Sequence, residues 1–159
     1  MTMTTEGAVS AAPETHTRLL LMRQGAEFFA LELASALEAL ELPELTRLPG
    51  APASLLGMTT IRGAVIPVFA ASRVLDVDGK AGGDKVLVVV RDGDRQIGMV
   101  VDEVEDVIMA DLTTIQQPME SMRGDGVVLG VVRSGSRLVA LLDARAIVRI
   151  GVRALPGAE

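Results

Sequence analysis

The sequence predicts an all-β domain of the barrel or sandwich class. Three observations carry this: short Val-, Ile- and Leu-rich runs recur along the chain, turn residues separate them every 8 to 12 residues or so, and little helical periodicity intervenes. Roughly nine or ten strands result. The 159 residues suffice for one domain with a full core, and a 49% hydrophobic content argues against disorder over most of the length.

Residues 1 to about 16 are rich in Thr, Ala and Glu without periodicity, and read as a flexible tail. The only histidine, His16, stands at its edge, where nothing fixes its geometry for chemistry. Leu19-Leu20-Leu21-Met22 reads as a buried strand. Gln24-Gly25-Ala26-Glu27 turns it, and Phe28-Phe29-Ala30-Leu31 returns. Ala34 to Leu42 is ambiguous: Leu33, Leu37 and Leu40 fall at i, i+4 and i+7, which suggests a helical turn or two, ended by Pro43.

Leu48 to Val68 is the most informative stretch. Leu48-Pro49-Gly50-Ala51-Pro52 makes a rigid turn, because Pro fixes φ while Gly allows φ > 0. A strand through Thr59-Thr60-Ile61 follows. Gly63 then turns the chain tightly into Ala64–Val68, which Pro67 pushes toward a sheet edge. Arg62 is a lone cation among apolar neighbours. It is either a solvated surface arginine or one paired with an anion, since burial unpaired is costly. Glu38 is the first candidate partner, its alternative being a solvated glutamate.

Phe69 to Leu75 is apolar apart from Arg73. Asp76 to Asp84 is a connector that begins like a calcium loop, but Lys80 and Ala81 stand where that motif wants an acid or amide and then Gly. Lys85 to Val90 is a strand, Arg91-Asp92-Gly93-Asp94 its turn, and Arg95 to Val101 the return. Asp102 to Ile108 carries four carboxylates in five residues. With no further ligand at motif spacing, it reads as a solvated face rather than a metal site. Leu112 to Gly126 is polar and irregular. Val127–Val132 and Leu138–Leu142 form a last hairpin through Ser134-Gly135-Ser136, and Asp143 caps a terminal helix from Ala144 to about Val152. The divisions expected are a tail over 1–16, one domain over 17–153, and a short tail over 154–159.

Composition removes several function classes. The net charge of −6, with no basic run, disfavours a nucleic-acid or anionic-membrane surface. No apolar run reaches the roughly 18 residues of a spanning helix, and no signal-peptide pattern opens the chain. Absence of Cys removes disulfides and thiolate metal sites and is compatible with a reducing cytoplasm. Neither a Cys-His nor a Ser-His-Asp set can be assembled, and no phosphate-cradling loop occurs. Phe28, Phe29 and Phe69 are the only aromatics, so stacking platforms for sugars or bases are missing. The composition points to binding rather than catalysis, without cofactor or metal.

Three ordered anchors carry a resemblance. The first is Phe29-Ala30-Leu31, Glu38 and Leu48-Pro49-Gly50-Ala51-Pro52. The second is Leu56-Gly57, Ile61-Arg62-Gly63 and Val65-Ile66-Pro67-Val68. The third is Ile97-Gly98 and Val100-Val101-Asp102-Glu103-Val104, closed by Leu129-Gly130 and Leu141-Leu142-Asp143. Over about residues 18 to 150 this set resembles the CheW-type coupling proteins of bacterial chemotaxis arrays.

The resemblance implies two intertwined five-stranded SH3-like β-barrels around a shared core, here with a short C-terminal helix. It implies a non-enzymatic cytoplasmic adaptor that joins the regulatory domain of a CheA-type histidine kinase to the cytoplasmic tip of methyl-accepting chemoreceptors. The family's conserved Glu and Arg map onto Glu38 and Arg62, expected to form an ion pair bracing a receptor-binding groove. If partly buried, that pair should cost more to break than an exposed one. Leu33, Ala36, Glu38, Ile61, Arg62, Val101 and Val104 are the expected lining, with core packing the alternative for the apolar ones. Pro43, Leu45 and Gly57 are expected at the kinase contact. Departures from the family pattern are Thr60 in place of Asn, Ala36 and Ala39 in place of Val, and Ala70 in place of Asp. The smaller Ala36 and Ala39 would trim apolar area from the groove. That leaves room for a divergent paralogue that binds a receptor or other partner without coupling a kinase.

Overall fold

A computed structural model of the chain describes residues 16–75, 77, 85–117, 126–153 and 155. Ten strands form two five-stranded sheets. They are β1 (His16–Gln24), β2 (Glu27–Glu32), β3 (Ala36–Glu41), β4 (Leu55–Ile61), β5 (Ala64–Ala70), β6 (Val86–Asp92), β7 (Arg95–Val101), β8 (Glu103–Asp111), β9 (Val128–Ser134) and β10 (Arg137–Leu142). A short helix α1 (Ala71–Val74) follows β5, and α2 (Ala144–Arg153) follows β10. The first sheet has the order β8-β1-β2-β10-β9, the second β3-β6-β7-β5-β4. Advancing every label in the first order by five, cyclically, yields the second. The fold is therefore two similar halves that have exchanged strands: each half's first hairpin lies in one sheet and its last three strands in the other.

Alternation along the strands builds three cores, which explains why so many runs are apolar on both faces. Leu19, Leu21, Ala30, Ala110, Val132, Val139 and Leu141 fill the inner face of the first sheet. Val68, Leu87 and Val100, with half-buried Leu40, Leu45, Leu56 and Ile61, fill that of the second. Their neighbours Leu20, Met22, Phe29, Leu31, Phe69, Val88, Val90, Met99, Ala140 and Leu142 point the other way, into a core shared by both sheets. The helix α2 seals this shared core with Ala146, Ile147 and Val148. Its start is fixed as expected, the Asp143 carboxylate accepting from the Arg145 backbone N–H at 3.0 Å.

Two local expectations are corrected, and a third stretch proves to be a strand. Ala34 to Leu42 is not helical beyond one 3₁₀ turn at Leu33–Ser35; Ala36–Glu41 is strand β3, half-buried and exposed by turns and paired with β6. Pairing overrides the helical spacing of its leucines. Pro67 is not on an edge strand, because β5 lies between β4 and β7. The β7 ladder starts only at Val68, so the missing Pro67 N–H costs that ladder nothing. The acidic stretch after Asp102 is edge strand β8, whose outward carboxylates discourage further strand addition. His16 opens β1 opposite Asp111. Residues 1–15 of the tail expected over 1–16, nearly all of the Asp76–Asp84 connector, residues 118–125 and nearly all of 154–159 lie outside the described residues.

Candidate binding site

Arg62 and Gly63 form a two-residue hairpin turn closed by the Ile61–Ala64 pair. Their φ values are 51° and 83°, the left-handed pair whose twist matches the flanking strands. Gly63 takes this freely. Arg62 is the one non-glycine with positive φ among the described residues, in a conformation that crowds an L side chain's Cβ against the backbone. It therefore sits at a hairpin tip, with its side chain 80% exposed, rather than wedged within a strand. Its Nε donates to Glu38 Oε1 at 2.9 Å. That hydrogen bond, helped by the carboxylate's charge and weakly opposed by desolvation, raises the Arg62 pKa further above its ordinary value.

Glu38 is 26% exposed on β3. The pair is thus largely open to water, and its strength is that of an exposed bridge, not of a partly buried one. Its geometry matters more. β3 and β4 are the two edges of the second sheet, and the pair links β3 to the β4–β5 tip. A second link lies nearby, where Thr46 and Met58 exchange backbone hydrogen bonds at 2.8 Å each.

The remaining groove candidates divide. Leu33 and Ala36 are half-buried against the shared core, as is Val104, whereas Ile61 packs with the second sheet's interior. Val101 is fully buried and offers no surface, so its place is core packing. The register sets Ala36 opposite Val90 and Val101 opposite Val86. Those β6 positions are about 13 Å apart along the strand. Glu38, Ile61 and Arg62 thus stand together, Leu33 and Ala36 lie just before them on the chain, and Val101 is remote along β6.

Of the expected kinase-facing residues, Pro43 and Leu45 are half-buried on the segment after β3. Gly57 is buried beneath that segment. A Cβ there would meet the Thr46 carbonyl oxygen at 2.8 Å and the Leu45 Cβ at 2.9 Å, so Gly57 seats Leu45 rather than reaching solvent.

Sequence reasoning missed a polar cluster beside β8. Arg23 donates to Glu103 at 2.8 Å and to the Gly25 carbonyl at 2.9 Å, with Glu105 at 3.5 Å. The Glu103 hydrogen bond leads the effects that raise the Arg23 pKa. Buried Asp102 accepts from the Gly25 N–H at 2.7 Å and pairs with Lys85, while its own N–H donates to Gln24 at 3.1 Å. The available signal was an acid directly abutting the apolar run Ile97 to Val101, where burial demands partners. Among the described residues no group of three or more acids or histidines could hold a metal ion. No helix among them is long and apolar enough to cross a membrane.

Residues 18–151 match the family model described as a CheW-like domain. Among similar curated proteins, the chemotaxis protein CheW of Treponema pallidum is 24% identical over 140 residues, covering 84% of this chain and 82% of that one. The probable chemotaxis protein CheW of Rhizobium etli is 27% identical over 149 residues, covering 93% and 92%. Among solved structures, the scaffolding protein TtCheW from Thermoanaerobacter tengcongensis superposes with a TM-score of 0.73 at 18% identity, covering 80% of this chain and 84% of that one.

Proposed function

The chain belongs to the CheW-like family, and from that premise we propose that it works as the adaptor of a chemosensory array. The family is one of non-enzymatic scaffold proteins of chemotaxis. In the finer reading, this chain joins the regulatory domain of a CheA-type histidine kinase to the cytoplasmic tip of methyl-accepting receptors. It does so in the cytoplasm, on arrays at the inner face of the membrane. The receptor helix lies along Leu33, Ala36, Ile61 and Val104, with Glu38 and Arg62 setting its register. Pro43 and Leu45, seated by Gly57, face the kinase.

One observation carries this reading. The chain holds Arg62 in a disfavoured backbone conformation at an exposed tip, where Glu38 aims its guanidinium. Such strain is retained at sites of function more readily than at indifferent surface. The test is a pull-down of the full chain against a receptor signalling tip and a kinase regulatory domain from the same genome, separately and together. Capture of both is the expected result. Capture of the receptor alone would favour a paralogue that does not couple a kinase, and capture of neither would overturn the proposal.

A further inference from the structure

The outer face of α2 carries charge of one sign. Arg145, Arg149 and Arg153 follow one another at i, i+4 and i+8, with Arg145 and Arg153 exposed and Arg149 half-buried. Ala146, Ile147, Val148 and Gly151 make the opposite, buried face. The three arginines therefore stand in a row about 12 Å long on the solvent side of the helix. No acid lies within Ala144–Arg153, so α2 is cationic on a chain whose net charge is −6.

The row is unfavourable for the helix that carries it. Like charges four residues apart repel on a helix surface, and two such pairs occur here, Arg145 with Arg149 and Arg149 with Arg153. Arg145 also sits in the first turn, where the helix dipole disfavours a cation. Elsewhere the chain sets cations beside anions: Arg23, Arg62, Lys85, Arg95 and Arg137 each have a carboxylate partner. Among the described residues, none of the three arginines of α2 has one. Glu32, Asp92 and Asp143 share a cleft with Arg145 at the start of the helix, and Arg149 and Arg153 lie outside it.

We propose that this row docks an acidic helix of a partner protein, one that carries carboxylates at the same i, i+4, i+8 spacing. Charge complementarity selects the sign, and the spacing selects the shape. Rows of residues four apart slant alike on any two helices and meet when the helices cross at about −50°. Each guanidinium can then take a carboxylate as a fork. A broad polyanion fits less well. The apolar face of α2 is buried in the shared core and cannot enter a bilayer. Beyond the narrow row, the net charge of −6 repels an anionic membrane or a nucleic acid. The inference stands on α2 alone and does not depend on the coupling role proposed above.

The test titrates a stapled helical peptide, bearing three glutamates four residues apart, into the isotope-labelled full chain. Saturable NMR shifts at the Nε–H groups of Arg145, Arg149 and Arg153 are expected. Three exposed pairs imply a Kd on the order of 1 mM, weakened by added salt. The same peptide with glutamines is expected not to bind. Arg149→Glu turns both repulsive pairs into attractive ones, so it should hold or raise Tm while weakening peptide binding at least about tenfold. Absence of saturable shifts would overturn the proposal, as would equal binding of the glutamine peptide or undiminished binding by Arg149→Glu. Tighter binding to phosphatidylglycerol vesicles or to duplex RNA than to the acidic peptide would overturn it as well.

Discussion

At the scale of single residues, Arg62 separates stability from function. Its backbone would be more comfortable as glycine, since φ = 51° crowds any Cβ, and its exposed ion pair adds little to folding. Arg62→Gly is therefore expected to leave Tm within about 2 °C of the parent or above it, while weakening receptor-tip capture. Circular dichroism melts alongside the pull-down check this. The residue's importance was legible in the sequence as a cation among apolar neighbours, but its setting was not. Turn geometry puts Arg62 itself, and not Gly63 alone, into the left-handed region, and no local pattern distinguishes an arginine inside a strand from one at its tip. Glu38 was legible as a partner because a lone cation demands one. Val101 was not separable from the lining, because buried and groove-facing valines read alike until the register is known.

At the scale of elements, the junction between the β1–β2 hairpin and β8 is held by Asp102. Its carboxylate meets the Gly25 N–H and Lys85 from inside the protein. Asp102→Ala removes the carboxylate that both of them meet. The expected cost is about 3 kcal/mol, the low end for a broken buried pair because Lys85 keeps some contact with water. Asp102→Asn retains an acceptor for Gly25 and should cost less. Urea unfolding of both variants, with slope unchanged from the parent, measures this. The hairpins β1–β2, β6–β7 and β9–β10 were readable because glycine turns sit between apolar runs. The strands β3 and β8 were not: Leu, Ala and Glu favour helix locally, and dense carboxylates mask alternation. Both are edge strands whose identity comes from their partners β6 and β1, a tertiary effect that overrides propensity.

At the scale of the whole molecule, strand exchange makes the two sheets interdependent. A fragment covering β1–β5 would hold a hairpin of one sheet and three strands of the other, with neither sheet complete. Fragments 16–75 and 85–153 are expected to be unfolded alone, and the intact chain to unfold in one cooperative transition. Circular dichroism of each fragment and of their mixture checks this; an independently folded fragment would contradict the exchanged topology. The number of strands and the apolar faces were legible from sequence, because alternation and turn chemistry are local. The two interleaved halves came only with the family resemblance, since they match in bulges, bridges and hairpins, features of register rather than of residue identity.

The measurement that tests the account most directly is a double-mutant cycle on receptor-tip affinity by calorimetry, using Glu38→Gln, Arg62→Gln and both together. Each single change is expected to weaken binding about tenfold, and the double change no further, because the two side chains act as one unit. Losses that simply multiply, or no loss at all, would contradict the claim that Glu38 and Arg62 together form the receptor-binding brace.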